Sequence, residues 1–372
     1  MSESRILFSK IKINPNLKRV RTLENRDLKN GLRLNRNERV LNYQNNLLEK
    51  IFKKNQRYNL AKYPDHSQLY NNISKFFKIK KENFLLTSGI DGGLKTIFET
   101  LTKPGDKICA LYPSYGMYEV FSKIFKTKFI KINYNLDSLK LNKRELEDQI
   151  KKKPKILILP NPNQPIEDYL TVDYLKIITS MCKKNKVILV IDEAYFMFGS
   201  KSSIGLVKNY KNLIILRSFS KSFGLPSIRL GFMITHSENI KFFDLYRLTY
   251  ESNYLTDTVA NYFLTKKKLV LNYNKSVVLG RNYLKKKLIN LGLNVTGAKS
   301  NFLLIKFKNK KITNFIENKL KKRKIYVRSY SKNMRNFLLI TCGPKEIMKT
   351  VFNEIEKHYN IGKKILKRWV LQ

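Results

Sequence analysis

The chain has 372 residues, with 74 Lys and Arg against 28 Asp and Glu for a formal net charge of +46, yet 42% of it is apolar and 12% aromatic. That much apolar material can build sizeable cores in two or three domains, which excludes wholesale disorder in spite of the charge. With 15 Gly, 10 Pro and no G-x-y period, collagen-like and linker-dominated architectures are excluded as well.

In chain order, residues 1–55 give weak signals and are grouped with residues 246–372 as a smaller α+β domain. Within a large domain over 56–245, residues 85–235 alternate short β-rich runs with helical stretches: FLLTSG (84–89), KICALYP (107–113), KFIKINY (128–134), KILILP (155–160), VILVIDEAY (187–195), LIILRSFS (213–220) and LGFMITH (230–236). Several runs are continuously apolar, as in strands buried on both faces, so a mainly parallel seven-stranded sheet in a large α/β domain is expected. Ligands of such sheets bind beyond the carboxyl ends of the strands. After about residue 240 come long amphipathic stretches such as 257–292, then strands FLLIKF (302–307), KIYVRSY (324–330) and NFLLITC (336–342).

Dispersed chemistry sets further bounds. The opening MSESRILFSKIKINPN lacks an apolar core of signal-peptide length, and no stretch has the roughly 18 uncharged apolar residues of a membrane span. Cys109, Cys182 and Cys342 are far apart and odd in number, which points to a reducing compartment, the cytoplasm. The three histidines are scattered, so no metal site is expected. Lysine runs such as KKKPK (151–155) and NKLKKRK (318–324) recur through the chain on the polar sides of helix-like segments. Solvated helix faces explain them better than a nucleic-acid site, and neither nucleic acid nor a membrane is expected as a partner.

The strand ends hold the chemistry. Asp192 sits at the tip of a strand so apolar that a carboxylate there needs a cationic partner. The next strand is followed by Ser218, Ser220 and Lys221, with Arg229 eight residues beyond the lysine. Upstream, a strand ends at Gly89 and a helix is expected from Asp91, whose free N–H groups and dipole suit a phosphate. Tyr115 in YPSYGMY follows a further strand. A lysine amine, a carboxylate, a phosphate cup and an aromatic platform together meet the needs of pyridoxal phosphate.

At these residues the sequence resembles the fold type I, class I/II aminotransferases, and among them the histidinol-phosphate aminotransferase branch. The resemblance runs from about Arg33 to Gly343 and is carried by LNRNER (34–39), KYPD (62–65), TSGIDGG (87–93), YPSYGMY (112–118), PNPNQP (160–165), IDEAY (191–195), SFSKSFGLPSIRLGF (218–232) and SNFLL (300–304). It implies that Lys221 is the Schiff-base lysine and proton shuttle, that Asp192 pairs with the pyridine nitrogen, and that Tyr195 hydrogen-bonds the ring hydroxyl. It implies that Ser218, Ser220 and Arg229, with the backbone of Gly89, Ile90 and Asp91, hold the phosphate, and that Tyr115 stacks on the ring. Tyr63 matches a tyrosine that reaches the neighbouring subunit's cofactor, which implies a homodimer. Asn37 and Asn301 fall at substrate-side positions. An amino donor and a keto acceptor are the implied substrates.

Two departures stand out. The family loop NPNNPTG reads PNPNQPIED here, so that either Asn163 or Gln164 takes the contact with the ring oxygen, and Ile166 and Glu167 replace a threonine and a glycine. In a late strand of the family an arginine grips an anionic group of the substrate; here that position is Leu339. Arg328 matches a second substrate-side arginine, and Arg335, four residues before Leu339, is a candidate replacement. Two alternatives stay open: a decarboxylase resembling threonine-phosphate decarboxylase, and a non-catalytic basic protein that binds nucleic acid.

Overall fold

A computed structural model describes residues 31–53 and 60–370, with side chains through residue 361. Expectations for residues 1–30 and 54–59 therefore lie outside the described residues. Its strands, in chain order, are β1 (Leu32–Arg33), β2 (Phe84–Thr87), β3 (Lys107–Tyr112), β4 (Lys128–Asn135), β5 (Lys140–Leu141), β6 (Ile156–Pro160), β7 (Ile188–Asp192), β8 (Leu213–Ser218), β9 (Gly231–Ile234), β10 (Asn294–Thr296), β11 (Phe302–Lys306), β12 (Ile325–Tyr326), β13 (Arg328–Ser329) and β14 (Phe337–Thr341).

The large sheet has the order β2-β9-β8-β7-β6-β3-β4-β5. All seven expected strands are in it, and the two-residue β5 extends the edge by pairing antiparallel with β4. Strands β8, β7, β6, β3 and β4 are parallel neighbours, whereas β9 runs antiparallel to both β8 and β2. Every residue of β6 is buried, and in β7 only Ile188 is partly exposed, because helices cover both faces. One core cluster, with Leu157, Leu159, Leu189 and Ile191, fills one face; another, with Ile156, Ile158, Val190 and Ile214, fills the other. This alternation is the period of two of a strand written into continuously apolar runs.

A second, antiparallel sheet has the order β10-β11-β14-β13. Its own core joins Leu303, Ile305, Leu338 and Ile340 to the helices Lys267–Asn290, Lys310–Lys322 and Lys345–Val370. The expected strand 324–330 is two pieces: β12 pairs parallel with β1, and β13 pairs with β14. The stretch 257–292 is likewise two helices, Tyr254–Thr265 and Lys267–Asn290, parted at Lys266. The first packs on helix Ser67–Phe77, where Asn72 Nδ2 donates to Asn261 Oδ1 at 2.8 Å. No helix among the described residues is long and apolar enough to cross a membrane.

Candidate active site

Because β2, β3, β6, β7 and β8 point the same way, their carboxyl ends meet at one edge of the sheet, and a cavity of about 230 Å³ opens there. Of the residues singled out in the sequence, Asn37, Ile90, Asp91, Tyr115, Gln164, Asp192, Tyr195, Ser218, Ser220, Lys221, Arg229 and Arg328 line it.

Lys221 stands at the apex of the loop between β8 and β9. Phe219 and Phe223 on either side are buried with ring centroids 4.4 Å apart, which turns the residue between them toward the cavity. Its Nζ donates to the Arg36 carbonyl at 3.0 Å. Burial pulls the ammonium down to about 8; Arg229 and Arg328 act in the same direction, while Glu38 and Asp192 oppose them. A sizeable share of the amine is therefore neutral near physiological pH, as a nucleophilic lysine requires.

Asp192 ends β7, is 4% exposed, and is followed by no helix that it could cap. Its Oδ1 accepts the Ala194 N–H at 2.9 Å, and its Oδ2 accepts the Tyr118 hydroxyl at 2.7 Å. Burial pushes the carboxyl up to about 6, partly offset by those two hydrogen bonds. A cation in the cavity would restore its charge. Its neighbour Glu193 faces elsewhere, in a buried ion pair with Arg217 at 2.7 Å. Adjacent carboxylates thus acquire separate tasks from the strand's alternation.

The anion-friendly end is built from backbone. Helix Gly89–Leu101 begins two residues before the expected Asp91, and Ser88 makes no side-chain cap, so its first amides face the cavity mouth uncapped. Gly89 has φ +67°, and a Cβ there would lie 2.9 Å from Arg229 Nη2. Arg229 itself has φ +52°, a left-handed conformation that costs a non-glycine residue energy and aims its guanidinium at this helix start. Arg229 Nη2 lies 3.8 Å from Asp91 Oδ2, and the Tyr115 hydroxyl donates to Asp91 Oδ1 at 2.9 Å. Ser218 Oγ accepts the Ser220 N–H at 3.0 Å, bending the chain toward the lysine.

On the opposite wall, Asn37 Nδ2 donates to the Tyr195 hydroxyl at 2.9 Å, and Asn301 Nδ2 donates to the Asn37 carbonyl at 3.1 Å. Asn301 is buried behind Asn37 rather than on the cavity wall. Asn163 is also set back, bonded to Ser114, Pro113 and Ile166, whereas Gln164 faces the cavity and donates to the Tyr330 hydroxyl at 3.0 Å. Leu339 is fully buried and lies opposite Arg328 in the β13–β14 register; Arg335 is exposed and does not line the cavity. Tyr63 is exposed and stacked on Tyr250 at 4.3 Å, outside the cavity of its own chain.

Sequence reasoning missed Arg36, Glu38, Ser114 and Tyr118. Arg36 and Glu38 flank Asn37 within LNRNER, and Tyr118 lies one helical turn beyond Tyr115, so spacing alone could have nominated them.

The sequence profile of the family "Aminotransferase class I and II" matches residues 29–355. A histidinol-phosphate aminotransferase of Clostridium novyi is 32% identical over 297 residues, 79% of this chain and 81% of that protein. The solved histidinol-phosphate aminotransferase of Sinorhizobium meliloti, in complex with pyridoxal phosphate, superposes with a TM-score of 0.77 at 17% identity, covering 88% of this chain and 91% of that one. A C-S lyase of Staphylococcus hominis, also bound to pyridoxal phosphate, superposes with a TM-score of 0.76 at 16% identity over 87% of this chain and 92% of its own. The chain belongs to the class I and II aminotransferases, is similar within them to histidinol-phosphate aminotransferase, and is a pyridoxal-phosphate-dependent enzyme.

Proposed function

We propose that the cavity at the carboxyl edge of the large sheet carries the amino transfer, with Lys221 as the amine that joins the cofactor and Asp192 as its ring-nitrogen partner. One observation carries this reading: an amine and a carboxylate from different loops line the same cavity, and burial drives each toward its neutral form. The residues fit pyridoxal phosphate: uncapped amides of the helix at Gly89, Ile90 and Asp91, the hydroxyls of Ser218 and Ser220, and Arg229 suit its phosphate, and Asp192 suits a protonated ring nitrogen. Tyr115 would cover the ring face, and Tyr195 and Gln164 the ring oxygen.

Bound pyridoxal phosphate supplies a reactive carbonyl and an electron-withdrawing ring. Asp192 would keep the ring nitrogen protonated, because a cation beside it offsets the burial that raises its pKa. Tyr118 fixes that carboxylate's orientation. Lys221 Nζ accepts the proton that leaves the donor carbon, a task suited to an amine titrating near 8. Arg328, which lines the cavity together with Arg36, is placed to orient an anionic group of the substrate, since Leu339 offers no cation.

The same reading makes the enzyme a cytoplasmic homodimer, with Tyr63 extending to the partner's cavity. The exposed Leu245, Tyr246 and Leu248, in the segment leading to Tyr250, support a covered surface beside that tyrosine. It also divides the chain into a cofactor-binding domain, 56–245, and a smaller domain from 1–55 and 246–372, for which the separate core of the four-stranded sheet is the support. Histidinol phosphate paired with a keto acid is the first substrate couple to assay. Amino transfer that depends on the keto acid, with ping-pong kinetics, is the expected result; with amino-acid donors in place of histidinol phosphate, release of carbon dioxide from the donor without transfer to the keto acid would overturn the reading.

A further inference from the structure

Glu167 occupies the position where the family loop has a glycine, and its side chain does something no glycine could do. Asn161 closes the loop around it, with Nδ2 donating to the Leu170 carbonyl and Oδ1 accepting the Leu170 N–H, both at 2.9 Å. Glu167 is 9% exposed and reaches across to the turn between β10 and β11. Its Oε1 accepts the N–H groups of Ala298 and Lys299, each at 2.6 Å, and its Oε2 accepts the Ser300 hydroxyl. The buried Arg281 grips the same turn, donating from Nη1 to the Ser300 carbonyl at 2.6 Å and to the Phe198 carbonyl at 2.9 Å. Burial lowers the Arg281 pKa, and the Glu167 carboxylate opposes that shift.

The turn leads directly into the cavity wall. Ser300 precedes Asn301, whose carbonyl accepts the Cys342 N–H at 2.7 Å and whose Nδ2 holds the Asn37 carbonyl. Asn37 is bonded on one side to Thr341 Oγ1, at 2.9 Å from its N–H, and on the other to the Tyr195 hydroxyl. Each link is a buried hydrogen bond, so a shift of the turn leaves polar groups unpaired all the way to Tyr195.

We infer that Glu167 is a positioning residue, tying the loop after β6 to the turn before Asn301 so that Asn37 and the Tyr195 hydroxyl are held in place for the bound ligand. The identity of that ligand rests on the proposed function; the tie itself does not. The test compares full-length wild type with Glu167→Ala, Glu167→Gln and Ser300→Ala. Amide hydrogen exchange is measured without cofactor, and the dissociation constant is measured for pyridoxal phosphate.

For Glu167→Ala, exchange should quicken at residues 298–300 and also at 34–38, and the dissociation constant should rise about tenfold, the scale of a lost charge-assisted network. Glu167→Gln, whose Oε1 can accept the two N–H groups while its Nε2 donates to the Ser300 oxygen in a reversed bond, should stay within about threefold of wild type. Faster exchange confined to 298–300, with the dissociation constant unchanged, would overturn the inference. If Glu167→Ala does not fold, Ser300→Ala decides: faster exchange at 34–38 supports the tie, and none refutes it. Wild type that takes up no pyridoxal phosphate would refute the cofactor's place in this cavity, while the exchange comparison would still decide the tie.

Discussion

The two edges of the large sheet are built from the same strands and differ in what water can reach. At the amino edge, Lys107, Lys153, Lys155, Lys184 and Lys186 line an open groove of about 540 Å³ with Asp106, and all five lysines are exposed. They surround the ends of helices Lys143–Lys151 and Val172–Lys184, where positive charge complements the helix dipole. At the carboxyl edge the cavity is smaller and holds one lysine, yet that lysine is held near 8 and a carboxylate near 6. Convergence and loss of solvent make a reactive site; density of charge alone makes a soluble surface.

Substitutions break this contrast in order of size. Lys221→Ala should lower amino transfer by about 10³-fold or more, since the amine proposed both to join the cofactor and to accept the proton is lost; steady-state kinetics with a donor and a keto acid would show it. Asp192→Asn should lower turnover by about 10²-fold and also move stability in a defined direction. The folded carboxyl titrates near 6 against 3.8 for a free aspartate side chain, so the native state holds the extra proton between those values. Stability of the cofactor-free protein therefore falls as pH rises through that window and stays reduced above it. Thermal melts should find Asp192→Asn more stable than wild type above pH 6, with the advantage vanishing below about pH 4.

Smaller effects sharpen the contrast within the carboxyl edge. Arg328→Ala should raise KM for an anionic substrate by about tenfold or more, the scale of a charge-assisted hydrogen bond, and Arg335→Ala should raise it much less because that side chain is outside the cavity. Tyr118→Phe removes a bond that lowers the Asp192 pKa, so the acid limb of the pH–rate profile should move upward, with a loss of about fivefold in turnover. Replacing Lys153, Lys155, Lys184 and Lys186 together by alanine should leave transfer within about twofold, a difference that a salt-matched assay can resolve.

Much of this was legible in the sequence. Continuous apolar runs ending in polar residues identify buried parallel strands and the edge at which they deliver Asp192, Ser218 and Lys221. The break at Lys266 and the division of 324–330 into two strands were not legible, because an amphipathic or β-rich run does not reveal which neighbour each half pairs with. Spacing from Tyr115 could have nominated Tyr118, but not its contact with Asp192, which lies 74 residues away in the chain. Glu167 read as a departure in a turn, since its three partners lie about 130 residues away in the chain and nothing local announces them.

Reductive trapping tests the central claim most directly in a chain with 74 basic side chains. Wild type is mixed with equimolar pyridoxal phosphate, reduced with borohydride and digested, and the modified lysine is located by mass spectrometry. One adduct per chain, on the peptide containing Lys221, is the predicted result. Adducts scattered over the exposed lysines of the opposite edge, with Lys221 bare, would contradict it.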